Sequence, residues 1–194
     1  MSAYCSIAVL LLAFGLRVHH LDFQASLSDD ALGLTLARLH PLSVFSITSS
    51  EPFPPTFYVI LSVWTRLAGD SEFAGRFLSL VFSMLAVAVL FATGRALVGQ
   101  PAGLIAAFLL AVDPFDIFFA QEVRMYTMVV LFSLVSAYLA YNLLRQHHER
   151  WLLYALASIA AAMTHAFALL VLFAQDAAAL VSGPRAWRWL RTWA

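Results

Sequence analysis

The chain has no lysine, one cysteine and few charges of any kind: of its 194 residues 11% are charged, while 62% are hydrophobic. An ordinary soluble domain is about a quarter charged, so lipid is the implied solvent here. All eleven basic residues are arginine, and eleven acidic residues balance them to zero net charge. With no basic excess there is no face to follow a phosphodiester backbone, and nucleic-acid binding is excluded as a class. The lone Cys5 excludes an internal disulfide framework and a cysteine-based metal centre. The first apolar stretch also lacks the basic leader and small-residue cleavage site of a secretory signal before Arg17, His19 and His20. It reads as an uncleaved first span.

What is present is apolar helix. A bilayer core takes about 20 helical residues, somewhat fewer where the membrane thins. That measure predicts six crossings, near 2–18, 72–93, 99–119, 123–144, 150–164 and 166–183. The predicted fold is an all-α polytopic transmembrane bundle, one domain over 1–194. Its long first loop, 19–71, carries acidic groups together with Pro41, Pro52, Pro54 and Pro55 and cannot lie wholly in lipid. Within it, 29–39 predicts a short amphipathic helix with Asp29 at its N-terminus and Ala31, Leu32, Leu34, Leu36 and Leu39 as its apolar members. Thr56 to Leu67 predicts a second helix, too short at about 1.5 Å per residue to cross, lying at the interface.

Arginine placement orients the bundle. Arg95, the pair Arg145 and Arg150, and Arg185, Arg188 and Arg191 share one face of a six-span arrangement, which the positive-inside rule makes cytoplasmic. Arg17, Arg38, Arg66 and Arg76, beside the first loop, dilute the bias. The opposite, outer face then receives the 19–71 loop, the loop around 119–124 and the turn at His165.

Those three places hold the residues that could carry chemistry. Adjacent acids such as Asp29 and Asp30 commonly cap a helix N-terminus. A carboxylate at a membrane surface can also act as a general base toward a hydroxyl. Gln121-Glu122-Val123-Arg124-Met125-Tyr126 interrupts an apolar stretch from 101 to 144. Ionisable groups at such depth cost free energy unless they pair or face water. Glu122 and Arg124 are either an internal pair marking the loop or a site, and Arg124 has the forked donors that suit a phosphate. His165 breaks the run 151–174; a lone histidine there is commonly a structural hydrogen-bonding residue, but it shares the predicted outer face with both acidic clusters. Arg76 is one turn beyond Glu72, and pairing with it is the simpler reading. Asp176, deep in the last span, has no assigned role.

In order, these motifs resemble the GT-C glycosyltransferases, in the bacterial Rgt-like branch related to protein O-mannosyltransferases and aminoarabinose transferases. Asp29-Asp30-Ala31 is similar to that family's Asp-Glu-Ala signature after the first span, and Pro54-Pro55-Thr56-Phe57-Tyr58 to its Pro-Pro-Leu-Tyr-Tyr. Gly69-Asp70-Ser71-Glu72-Phe73 with Arg76 resembles its Gly-Asp-Ser-Glu-Phe and Arg, Gln121 to Tyr126 its Gln-Glu-Ala-Arg-Met-Tyr, and Thr164-His165-Ala166-Phe167 its Thr-His-Tyr-Phe. Asp30 stands where the family usually has Glu.

The resemblance implies a membrane enzyme transferring sugar, with inversion, from a polyprenyl-phosphate donor to a lipid, glycan or protein acceptor outside the cytoplasmic membrane. It implies Asp29, Asp30 and Glu122 as catalytic residues, Asp29 being the base, and Arg124, Tyr126, His165 and Arg76 as substrate-binding residues. Some members bind a divalent cation there and others do without one, so the metal is left open. Members usually continue through more spans, so the chain is expected to be the N-terminal part of such an enzyme. The competing expectation is a truncated, non-catalytic membrane protein or a transporter-like subunit in which Glu122, Arg124 and His165 line a polar path.

Overall fold

Long runs of Leu, Ala, Phe and Val, with few interior glycines or prolines, leave helix as the conformation that satisfies every backbone group where water is scarce. The computed structural model describes residues 2–21, 23, 28–48, 55–145 and 150–181, with the side chains of all of these except 2, 3, 28, 29 and 145. Among the described residues there are ten α-helices: α1 Ser2–Val18, α2 Ser28–Ala37, α3 Pro41–Thr48, α4 Thr56–Ala68, α5 Glu72–Leu97, α6 Gln100–Ala111, α7 Pro114–Ala120, α8 Tyr126–Arg145, α9 Trp151–Ala162 and α10 Ala168–Val181. The all-helical bundle expected from the sequence is what forms.

The predicted spans correspond to α1, α5, the α6–α7 pair, α8, α9 and α10. α5 and α8 are each long and apolar enough to cross a membrane, and α6 with α7 makes a third crossing if the bent pair is one span. α1, α9 and α10 are apolar but have 17, 12 and 14 residues. Among the described residues, length and composition alone therefore support two or three crossings, short of the six expected. Leu11, Ile105, Leu109, Leu169, Leu170 and Phe173 lie exposed on α1, α6 and α10, surfaces that suit hydrocarbon.

Two expectations need correction. The third span is not continuous over 99–119: it bends by 60° between α6 and α7. Asp113 accepts the Asp116 N–H at 3.0 Å as the N-cap of a new helix, with Pro114 at its first position. Carbonyls at the end of α6 also accept from Arg17, which donates to Leu110 O and Ala111 O, each at 2.9 Å. The stretch after Leu39, expected to be loop, also forms a helix, α3, begun by Pro41.

The helices of the first loop are packed inward. On α4, the hydroxyls of Ser62 and Thr65 donate to Leu39 O and Ala37 O at the end of α2, at 2.7 and 3.3 Å. The Trp64 indole donates to Ala74 O on α5 at 2.7 Å. Leu34, Val44, Phe57, Leu61, Leu78, Val123, Met125 and Met128 then form one apolar cluster joining α2, α3, α4, α5 and α8 to the loop between α7 and α8. That cluster is the floor under the polar residues.

Candidate active site

One end of the bundle gathers the last turns of α1, α7 and α9 and the first turns of α5, α8 and α10. Gln121, just past α7, ties this end together: its amide donates to Arg17 O at 3.1 Å and His19 O at 2.8 Å, closing the C-terminus of α1. Ser79 on α5 donates to Arg124 O at 3.3 Å, and Thr127 on α8 returns a bond to Ser79 O at 2.9 Å. The loop from Gln121 to Met125 is thereby clamped between α1, α5 and α8.

Asp30 crosses from α2 into this loop. Its carboxylate accepts the Val123 N–H at 2.9 Å and pairs with the Arg76 guanidinium at 3.4 Å, with both side chains almost wholly buried. Arg76 also donates to Leu21 O at 3.0 Å and lies 3.7 Å from Glu72. The expected pairing of Arg76 with Glu72 is thus present, but Asp30 is nearer, and the guanidinium faces the interior, toward Asp30 and Leu21. Asp29 is one residue earlier in the first turn of α2; its side chain lies outside the described residues. Glu122 is buried in the same loop.

The other predicted residues form an aromatic and cationic strip. The Arg124 guanidinium lies 5.7 Å from the centre of the Tyr126 ring, within cation–π range. Tyr126 packs against Phe119 at 4.3 Å and His165 at 5.8 Å, and His165 against Phe167 at 4.7 Å. Burial, followed by the positive charge of Arg124, holds the His165 pKa below its usual 6.5. Thr56, at the head of α4, donates to Met163 O at 2.6 Å and pins the first loop beside the His165 turn. Next to the strip, Pro114, Phe115, Phe118 and Phe119 line an open groove of about 370 Å³. Asp30, Arg76, Glu122, Arg124, Tyr126 and His165 therefore gather at one end of the bundle, through two linked clusters.

Sequence reading missed a third polar cluster beneath these. Arg17 is fully buried, bonded to Asp116 at 2.6 Å and to the Ser83 hydroxyl at 2.6 Å, and Ser83 also donates to Asp116. The signal was Asp113-Pro114-Phe115-Asp116, a cap, a helix starter and a second acid inside an apparent span.

A divalent cation fits the described residues poorly. Both carboxylate oxygens of Asp30 are engaged, by Arg76 and by Val123, and no group of three or more His, Cys, Asp or Glu side chains able to hold a metal ion occurs among the described residues.

The family model for dolichyl-phosphate-mannose-protein mannosyltransferases matches residues 52–194, which is 143 of the 194 residues. The chain belongs to this family. The match includes the mannosyltransferase-like stretches that hold Arg76, Glu122, Arg124, Tyr126 and His165, whereas Asp29 and Asp30 precede it. Membership identifies a membrane glycosyltransferase family of GT-C type. No curated protein and no solved structure gives a match.

Proposed function

We propose that the protein transfers a sugar from a polyprenyl-phosphate donor to an acceptor hydroxyl on a lipid, glycan or protein, at the outer surface of a membrane that it crosses six times. The observation that carries this reading is the bond from the Val123 N–H to Asp30, which brings the helix turn bearing Asp29 against the loop bearing Arg124. A base and an anion ligand then share one edge of the bundle.

In this mechanism the acceptor oxygen attacks the anomeric carbon and gives its proton to the Asp29 carboxylate. The bond from that carbon to the phosphate oxygen breaks on the opposite face, and the electron pair leaves with the polyprenyl phosphate, so configuration inverts. Arg124 and His165 hold the phosphate as charge builds on it. The open groove at Pro114, Phe115, Phe118 and Phe119 suits the first isoprene units, being apolar and one ring contact from Tyr126. Asp30 and Arg76 act through position, fixing α2 against the loop, and Glu122 is the second acid of the site.

The test is transfer of labelled sugar from a polyprenyl-phosphate donor in membranes holding the full chain. Asp29→Asn lowers the rate by about 10²-fold to 10⁴-fold, the usual worth of a general base. Arg124→Lys, which loses the forked contact, costs about tenfold to a hundredfold. Equal transfer by wild type and Asp29→Asn removes Asp29 from the mechanism. Absence of transfer by wild type favours a non-catalytic subunit.

A further inference from the structure

His165 is held by its own backbone. In the turn between α9 and α10 its Nδ1 accepts the Phe167 N–H at 3.1 Å. A neutral imidazole has one acceptor nitrogen and one donor, so with Nδ1 accepting, the proton sits on Nε2. Turning the ring over would set a C–H against the Phe167 N–H and lose the bond. Protonating Nδ1 would set two N–H groups facing each other. The groups packed around the ring reinforce the neutral form: Arg124 and Tyr126 face it from the α7–α8 side, Phe167 from the α10 side, and the only charge among these is the cation of Arg124.

The geometry points to His165 as a neutral Nε2–H donor that works beside Arg124 on a phosphate-class oxyanion, and not as a ligand for a divalent cation. A metal-bound histidine presents a lone pair to the ion and donates its other ring N–H to an acceptor. Here the arrangement is reversed, because the backbone supplies a donor at Nδ1. One neutral and one charged donor can hold a phosphate without adding a second cation to the site. This assignment rests on the reading of the donor as a polyprenyl phosphate.

The experiment uses the full chain in phosphatidylcholine nanodiscs with ¹⁵N-labelled histidine, the His165 ring signals being identified by their loss in His165→Gln. The expected spectrum at neutral pH has a protonated Nε2 and a bare Nδ1; a protonated Nδ1 overturns the inference. Affinity is then measured for a polyprenyl monophosphate and for the polyprenol of the same length. Gln carries its amide N–H close to the place of Nε2, and Asn close to that of Nδ1. His165→Gln is expected to bind the phosphate within about threefold of wild type, while His165→Asn and His165→Ala lose about tenfold, the worth of one hydrogen bond to a charged group. A Gln variant as weak as Ala overturns the donor role of His165 alone, as does loss of wild-type binding on adding a chelator. Wild type that binds phosphate no better than alcohol overturns this inference together with the donor reading on which it rests.

Discussion

A buried charge matters most through what its partner loses when it is removed. Asp30 and Arg76 are both almost wholly buried and reach one another at 3.4 Å. Deleting one member of such a pair costs about 3–5 kcal/mol, because the other is left uncompensated, whereas replacing both with apolar residues is often neutral. Asp30→Leu is therefore expected to lower the melting temperature of the detergent-solubilised chain sharply, with much of the loss restored in Asp30→Leu/Arg76→Leu. No recovery in the double variant would mean that the ion pair is not what Asp30 contributes. His165 makes a different prediction. Its pKa is lower folded than unfolded, so the unfolded state binds more protons as acid is added, and the stability tied to the neutral ring, present above the usual pKa of 6.5, is lost as pH falls through the folded value. Melting temperatures taken from about pH 7.5 to about pH 5 should fall more in wild type than in His165→Gln; equal falls would remove His165 as the cause.

At the scale of elements, two contacts decide how the helices meet. α5 and α6 approach so closely that a Cβ on Gly103 would lie 2.6 Å from Phe91 O and 2.8 Å from Arg95 N. Small residues let helix backbones touch in this way, and here the obstacle to a side chain is backbone, which cannot swing aside. Gly103→Ala is expected to cost about 1–3 kcal/mol, whereas Gly15→Ala, with nothing within 4 Å of its Cβ position, should be neutral or better; similar melting temperatures for the two variants would contradict the close approach. Arg17 decides the second contact, by donating to the carbonyls of Leu110 and Ala111 at the break after α6. Neither was legible beforehand, for a physical reason: hydropathy reports how apolar a stretch is and says little of where its hydrogen bonds go. Arg17 reads as one more arginine beside the first loop, because an arginine at the end of a span usually snorkels outward. For Asp30 the sequence offers a cap and a catalytic carboxylate alike, since both begin with a carboxylate in the first turn, and its bonds to Val123 and Arg76 join residues too far apart in sequence to be read there. The all-helical build, a helix over α4 and the meeting of Asp30, Arg124 and His165 at one end were legible, the last because each is a polar interruption in a run whose length sets which end it reaches. α3 was hidden because Pro41 reads equally well as a helix start and as a loop residue.

For the whole molecule, direction follows from the antiparallel succession of helices. α1, the α6–α7 pair and α9 end where α5, α8 and α10 begin, and the polar residues collect at that end. At the other end Tyr141 donates to Ala96 O at 3.0 Å, and Arg95 and Arg150 flank the connections. An arginine-bearing end is retained in the cytoplasm, so the end with His165 should face outward even though α9 and α10 are short; short apolar helices cross where the bilayer thins around a bundle. The single cysteine makes this measurable. With Cys5 changed to Ser, one new cysteine can be placed at Leu67, exposed near the end of α4 in the first loop, at Phe167, exposed beside His165, or at Val98, exposed at the opposite end. A membrane-impermeant thiol reagent added to intact cells is expected to label the first two positions and to reach Val98→Cys only after permeabilisation. Labelling of Leu67→Cys without Phe167→Cys would put α9 and α10 outside the six-span arrangement, and labelling of Val98→Cys alone would turn the bundle over and place the proposed transfer on the cytoplasmic side.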